Sequence, residues 1–327
     1  MNANNLKNKK ILVTGGAGFI GSHLTNRLVN LGARVSVIVK YNSIIDNPRL
    51  VKIWDNINVI EADLRNTDSV REMKKMSFDL TFHLAAYNHV GDSFKHVLEN
   101  INSNLISTIN LLNNGPKIKK IIHMGTSEIY GVQKRLPFNV REKPNPMSPY
   151  GVTKYASELF SLLKSKSSKL NLLCVRPFNT FGPYQSEKAI IPELIIKCIQ
   201  NKEIRTTGGK QTREFNYVDN IIDGMLLLNK KVNHSIEPIN VGSNNPISIK
   251  SLVKKIHKFT DSKSKLKIGS LKYRPNEIWK MQANNKYIIS KGWKPKINFD
   301  EGLKNTIAWY QKFYKSYLDK NSLFRKL

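Results

Sequence analysis

Residues 13–24, VTGGAGFIGSHL, constrain the fold more than any other stretch. An apolar run from Ile11 to Val13 breaks into Gly15, Gly18 and Gly21. Phe19, Ile20, Leu24 and Leu28 then recur at helical spacing, Asn30–Gly32 closes the helix, and Val35–Val39 makes a second apolar run. The pattern predicts strand, tight turn, helix, strand. The first glycine permits the turn and the second lets the backbone approach a pyrophosphate. The third lets the helix pack against the strand, and the helix N-terminus supplies N–H donors and a positive dipole end. Phe19 and Ile20, inside the same turn, are candidate cofactor contacts with the three glycines.

The rhythm continues. INVIEADL, LTFHLAA, IKKIIHMGTS and LNLLCVRPFN predict further strands, with helices over 67–75, about 93–113 and 149–164 between them. Strands alternating with helices imply a doubly wound parallel sheet covered on both faces. Beyond residue 182 the alternation loosens. IIPELIIKCIQ, VDNIIDGMLLLNK, SIKSLVKKIHKFT and FDEGLKNTIAWYQKFY predict helices, and EPINVG predicts a strand returning to the main sheet. The expected division is a nucleotide-binding part over 1–182 and a smaller, mixed substrate-binding lobe over 183–327. There are no internal repeats.

Lys and Arg number 53 against 24 Asp and Glu, a formal charge of +29, which favours anionic partners. The basic residues are spread along the chain, not gathered on one element with aromatic neighbours, which argues against nucleic acid. Cys174 and Cys198 lie in apolar surroundings and suggest neither a disulfide framework nor a metal site. The polar start MNANNLKNKK lacks a signal peptide's apolar stretch, and no run approaches 18 apolar residues. These features predict a cytoplasmic protein without membrane insertion.

At the end of the second strand a carboxylate would accept the ribose 2′-hydroxyl of NAD. Here Val39 is followed by Lys40, Tyr41, Asn42 and Ser43, and Lys40 with Ser43 suits a 2′-phosphate, a lean toward NADP over NAD. Asp63, after the third strand, is a candidate acceptor for the adenine amine. In SPYGVTK, Tyr150 and Lys154 stand four apart on a helix with Ser148 at its cap and Pro149 in its first turn. A phenol of pKa ~10 is a poor base at neutral pH. A nearby ammonium and a nicotinamide's positive charge favour the phenolate, so the pair suits removal of a hydroxyl proton.

Taken together, TGGAGFIGSHL, EADL, FHLAA, SNLIST, GTSEIYG, SPYGVTK, RPFNTFGP, TREFNYVDN and GWKP resemble, in order, the extended short-chain dehydrogenase/reductase family, in its nucleotide-sugar epimerase and dehydratase branch. The resemblance implies a Rossmann-type fold, a bound NAD or NADP and a nucleotide-diphosphate sugar substrate. It implies a homodimer formed through a four-helix bundle of the helices near 93–113 and 149–164. By it, Thr126 bonds the substrate's O4, Tyr150 is the acid/base, and Lys154 is its partner and a ribose ligand. Asn104 matches a buried asparagine near that lysine; the family's glycine in this motif is Ser107 here. Leu64, Leu84, Ala85 and Ala86 are expected against the cofactor. Ala86 to His89 are expected along the nicotinamide and sugar, Asn179 near the diphosphate, and Arg213 and Arg274 on its phosphates.

The reaction turns on TSEIYG. Every branch begins by oxidising C4. A 4,6-dehydratase then needs a base for the C5 proton, and Glu128 fits, expected on the same side of an extended segment as Thr126. Many epimerases of the family have a small or neutral residue there, whereas UDP-glucuronate decarboxylases also carry Thr-Ser-Glu. Ser127 departs from the aspartate of dTDP-glucose dehydratases, which leaves the acid for the departing hydroxyl unassigned. The expectation is a 4,6-dehydratase serving surface-glycan sugar synthesis, with a 4-epimerase or a UDP-glucuronate decarboxylase as alternatives.

Overall fold

A computed structural model describes residues 6–40, 49–273 and 277–318. Strands β1 (Lys10–Thr14), β2 (Arg34–Val39), β3 (Ile57–Glu61), β4 (Leu80–His83), β5 (Lys120–Met124), β6 (Asn171–Pro177) and β7 (Ile239–Val241) form one parallel sheet in the order β7-β6-β5-β4-β1-β2-β3. The fold is the expected Rossmann-type α/β arrangement, and EPINVG does return a strand, β7, beside β6.

Side chains alternate across each strand, so neighbouring residues enter different cores. Ile11 and Val13 of β1 pack with Leu24 and Leu28 of α1 (Phe19–Asn30), while Leu12 joins Ile38, Ile121, Leu172 and Leu111 on the other face. All of these side chains are buried. Each is worth about 1.5–3 kcal/mol relative to exposure, which accounts for helices on both sides.

Two further helices frame the site. α2 spans 97–114, and its segment Ile101–Ile106 is wound as a π-helix. The helix expected from about 93 therefore starts later, after a short separate turn at Val90–Ser93. α3 (Pro149–Ser167) starts as its sequence predicts, with Ser148 Oγ accepting from the Gly151 N–H at 3.1 Å and Pro149 in the first turn. The later part of the chain adds α4 (Ile190–Ile199), α5 (Val218–Lys231), α6 (Ile249–Phe259) and α7 (Phe299–Leu318), together with short strand pairs of both senses.

Candidate active site

The C-terminal ends of β1, β4, β5 and β6 open into a cavity of about 290 Å³. It lies where the strand order reverses between β1 and β4, the usual ligand crevice of an open α/β sheet. Gly15, Gly18, Phe19, Ile20, Gly21, Leu84, Ala85, Ala86, Thr126, Ser127, Glu128, Tyr150, Lys154 and Asn179 all line it.

The glycine cradle requires glycine for identifiable reasons. Gly15 has φ +68°, and a Cβ there would lie 2.8 Å from the Ala85 nitrogen. A Cβ on Gly21 would lie 2.0 Å from the Gly15 carbonyl oxygen, so this third glycine packs the helix against the turn more than against the strand. Gly18 lies on the cavity wall as the N-cap residue of α1, and the first-turn N–H groups of a helix suit an anion. A cradle closed to side chains at a helix N-terminus fits a dinucleotide pyrophosphate. Opposite it, a buried chain fixes the Leu84–Ala86 strip: Thr14 Oγ1 bonds His83 Nδ1 at 2.7 Å and accepts from the Ala85 N–H at 3.1 Å, and His83 Nε2 bonds Thr108 Oγ1 at 2.9 Å. Burial, with Lys154 nearby, pushes His83 down to about 3, so its ring is neutral.

Asn104 sits in the π-wound segment. Its Oδ1 accepts from the Tyr87 N–H at 2.7 Å and its Nδ2 donates to Thr153 Oγ1 at 2.9 Å, tying the β4 loop to α3. Tyr150 and Lys154 share one face of α3. Burial pushes the Tyr150 hydroxyl up to about 12; a hydrogen bond with Thr126 opposes this, and the Glu128 charge adds to it. Burial also brings Lys154 down to about 8, and its Nζ donates to the Met124 carbonyl oxygen. The ammonium is thus anchored to the backbone of β5. In this state burial dominates the phenol, where the sequence suggested a lowering by the lysine.

The TSE stretch differs from expectation. Ser127–Ile129 is a 3₁₀ turn, not an extended segment, because Thr126 Oγ1 caps it by accepting from the Glu128 N–H at 3.2 Å. Glu128 still faces the cavity. Ser127 is buried, and its hydroxyl donates to Met281 Sδ at 3.5 Å. Asn179 Nδ2 also reaches Met281 Sδ, at 3.7 Å, and donates to the Glu214 carbonyl oxygen at 3.3 Å. Met281 carries no sequence signal that would have marked it.

Other candidates lie farther out. His89 lines an adjoining cavity of about 300 Å³ together with Asn179 and Gln185. It caps the turn after it, its Nδ1 accepting from the Asp92 N–H at 2.9 Å. Asp63 is gripped by Arg65, whose Nη2 lies 2.6 Å from Asp63 Oδ2 while Nη1 reaches Glu99 at 2.9 Å; this fork holds the Asp63 carboxyl below the usual range. Leu64 is buried in the second core with Leu111, away from the cavity lining. Lys40 is exposed at the end of β2. Arg213 does not line the cavity: its Nη2 pairs with Glu277 at 2.7 Å and its Nη1 donates to the Thr212 carbonyl oxygen at 2.9 Å. Ser43 and Arg274 lie outside the described residues.

Comparison with known proteins agrees with this geometry. A family model described as GDP-mannose 4,6 dehydratase matches residues 12–306. Human dTDP-D-glucose 4,6-dehydratase is 29% identical over 322 residues, covering 94% of this chain and 92% of the relative. A UDP-N-acetyl-alpha-D-glucosaminuronate decarboxylase of Bacillus cytotoxicus is 31% identical over 331 residues, covering 93% and 98%. The crystal structure of UDP-glucuronic acid 4-epimerase from Bacillus cereus, in complex with UDP-glucuronic acid and NAD, superposes with a TM-score of 0.82 at 28% identity, covering 93% of this chain and all of that one. The chain belongs to the GDP-mannose 4,6-dehydratase family, within the extended short-chain dehydrogenases/reductases.

Proposed function

We propose that this protein is an NAD(P)-dependent nucleotide-sugar 4,6-dehydratase. The observation that carries the reading is one cavity wall presenting Thr126, Glu128, Tyr150 and Lys154 together beside the glycine cradle. Gly15, Gly18 and Gly21 hold the dinucleotide, and Lys154 holds its ribose. The bound nicotinamide supplies a hydride acceptor for C4 and a hydride donor for C6. Thr126 and Tyr150 hold the 4-hydroxyl, and Tyr150 takes its proton as the phenolate that the Lys154 ammonium and the positive charge of a bound nicotinamide would favour against burial. The C4 ketone acidifies the C5 proton, which Glu128 removes; the C5–C6 double bond forms as the 6-hydroxyl departs. Ser127 is turned to Met281 and is no acid, so the proton on Glu128 goes to the leaving hydroxyl and completes a water. The proton held at Tyr150 balances reprotonation of C5.

The same serine supports a second reading. A 4-epimerase or a uronate decarboxylase needs no acid for a 6-hydroxyl, and relatives of both kinds resemble this chain. Incubating the protein with UDP-, GDP-, CDP- and dTDP-sugars in deuterated water separates the three. Loss of one water mass with deuterium at C5 is expected. A mass-neutral isomer would establish epimerisation, and loss of carbon dioxide from a uronic acid would establish decarboxylation. Glu128→Gln is expected to arrest dehydration; full turnover in that variant would sink the C5-base assignment.

Two further assignments belong to this reading. Lys40, exposed after β2, supports NADP binding at least as tight as NAD, and a strong NAD preference in calorimetry would overturn it. Exposed Leu98 on α2 and Val152, Leu159 and Leu163 on α3 support a homodimer through these helices. A mass of one chain by light scattering would exclude it. Among the described residues no helix is long and apolar enough to cross a membrane. The reading places the substrate lobe in residues 183–327 and the enzyme in the cytoplasm.

A further inference from the structure

Behind the catalytic wall lies a charge pair that the proposed chemistry leaves unused. Glu158 and Arg176 are 1% and 3% exposed, and their contact is two-pronged: Arg176 Nη2 donates to Glu158 Oε1 at 2.6 Å and Nε to Oε2 at 3.1 Å. The guanidinium also lies 4.9 Å above the Tyr130 ring. Burying two ions is costly, and apolar residues of similar volume would often stabilise a fold as well. A pair kept in such a place invites a role beyond stability.

Its position supplies one. Glu158 stands one turn past Lys154 and two turns past Tyr150 on α3, so all three share a helix face. Its carboxylate presses on Gly125, where an added Cβ would lie 2.9 Å from Glu158 Oε2 and 3.3 Å from Arg176 Cγ. Gly125 precedes Thr126, and its N–H donates to the Val175 carbonyl oxygen at 2.7 Å. Arg176 in turn precedes Pro177, Phe178 and Asn179 of the cavity lining. The pair therefore touches the three segments that carry the candidate catalytic groups.

We propose that Glu158, held by Arg176, is a positioning residue: it provides the buried counter-charge for the Lys154 ammonium and braces Gly125 behind the Thr126–Glu128 turn. The proposal rests on the reading of Lys154 as the ammonium that serves Tyr150. Apart from Glu128, the other groups packed around Lys154 are neutral or cationic. From β4 and β5, His83 and His123 are kept neutral by burial and by the lysine itself. Burial holds the Cys174 thiol of β6 protonated and the Tyr150 hydroxyl in its neutral form. Arg176 is a cation, turned onto Glu158. Glu128 lies on the turn beside Tyr150, whose hydroxyl its charge pushes up. Burial brings Lys154 down to about 8, and Glu158 is the foremost influence raising it.

Counter-charge and simple packing predict opposite signs. Removing the carboxylate while the site stays dry lowers the lysine's pKa further. Loosening the packing admits water and moves it back toward an ordinary lysine. Competitive labelling with acetic anhydride across pH, read on the Lys154 peptide by mass spectrometry, measures this without substrate or cofactor. The parent protein is expected to show a midpoint near pH 8. Glu158→Gln is expected to move it down by about one unit, and Glu158→Asp to restore most of the shift. Should an unpaired Arg176 prevent folding, judged by circular dichroism, the double variant Glu158→Gln, Arg176→Met removes both charges and is expected to shift in the same direction. An unmoved or raised midpoint in whichever variant folds overturns the proposal. Its failure is separable from that of the function reading: full turnover by Lys154→Met would sink the role of the lysine and leave the labelling shift intact.

Discussion

The two walls of the cavity are built differently. On one side Gly15, Leu84, Thr126, Tyr150 and Lys154 stand at strand ends or on the first turns of a long helix. Buried bonds hold them: the Thr14–His83–Thr108 chain, Lys154 on the Met124 carbonyl, and Glu158 on Arg176. On the other side Asn179 follows β6, and behind it, outside the cavity lining, Arg213 sits in the short strand Thr212–Glu214 and Met281 on an irregular strap. The strap carrying Met281 is pinned by single bridges, Thr212 to Lys280 and Phe138 to Ala283. Its Glu277 occupies the Arg213 guanidinium. A wall set by main-chain geometry suits chemistry that must be placed to fractions of an ångström. A wall of loop contacts suits recognition that differs from one sugar nucleotide to another.

If that contrast holds, changes to the first wall abolish function and changes to the second retune it. Tyr150→Phe removes the hydroxyl that is hydrogen-bonded to Thr126 on this wall. Its expected effect is a loss of about 10²–10⁴ in kcat with folding intact, checked by single-turnover formation of reduced nicotinamide. A loss under tenfold would break the comparison at its strongest point. Gly15→Val comes next. Valine at φ +68° is strained, and its Cβ would meet the Ala85 backbone at 2.8 Å, displacing the Leu84–Ala86 strip. Calorimetry should show at least about tenfold weaker NAD binding, roughly 1.4 kcal/mol; unchanged affinity would mean that the cradle does not hold the dinucleotide.

The same contrast decided what the sequence disclosed. Positive φ and close approach admit only glycine, so Gly15 and Gly21 marked the turn before any coordinates. Helical spacing likewise put Tyr150 and Lys154 on one face, and the alternation of Ile11, Leu12 and Val13 announced a sheet covered on both sides. The 3₁₀ turn at Ser127–Ile129 was harder, because a threonine side chain there competes with the extended backbone that the preceding strand suggests. Leu64 entered the cofactor set by its place in a motif, yet its side chain points into the core. Asp63 was expected as an acceptor for the adenine amine, and nothing in the pattern shows Arg65 folding back on it. Met281 was illegible: its partner Ser127 lies 154 residues away, and no period or turn signal joins them.

The smallest expected effect is the one that sharpens the second wall. Arg213 and Glu277 are 17% and 11% exposed, so their contact is only partly screened by water. If Arg213 receives a substrate phosphate, Glu277 competes with that phosphate for the same guanidinium. Glu277→Gln keeps a carbonyl oxygen to accept from Arg213 but removes the negative charge. KM for the sugar nucleotide should then fall about fivefold, roughly 1 kcal/mol, with kcat unchanged. Arg213→Met should raise KM in the same assay. A rise in KM for Glu277→Gln would give the pair the opposite meaning, a brace that positions the strap and Met281. The second wall would then resemble the first, with a charge contact behind it as Glu158 and Arg176 lie behind the other.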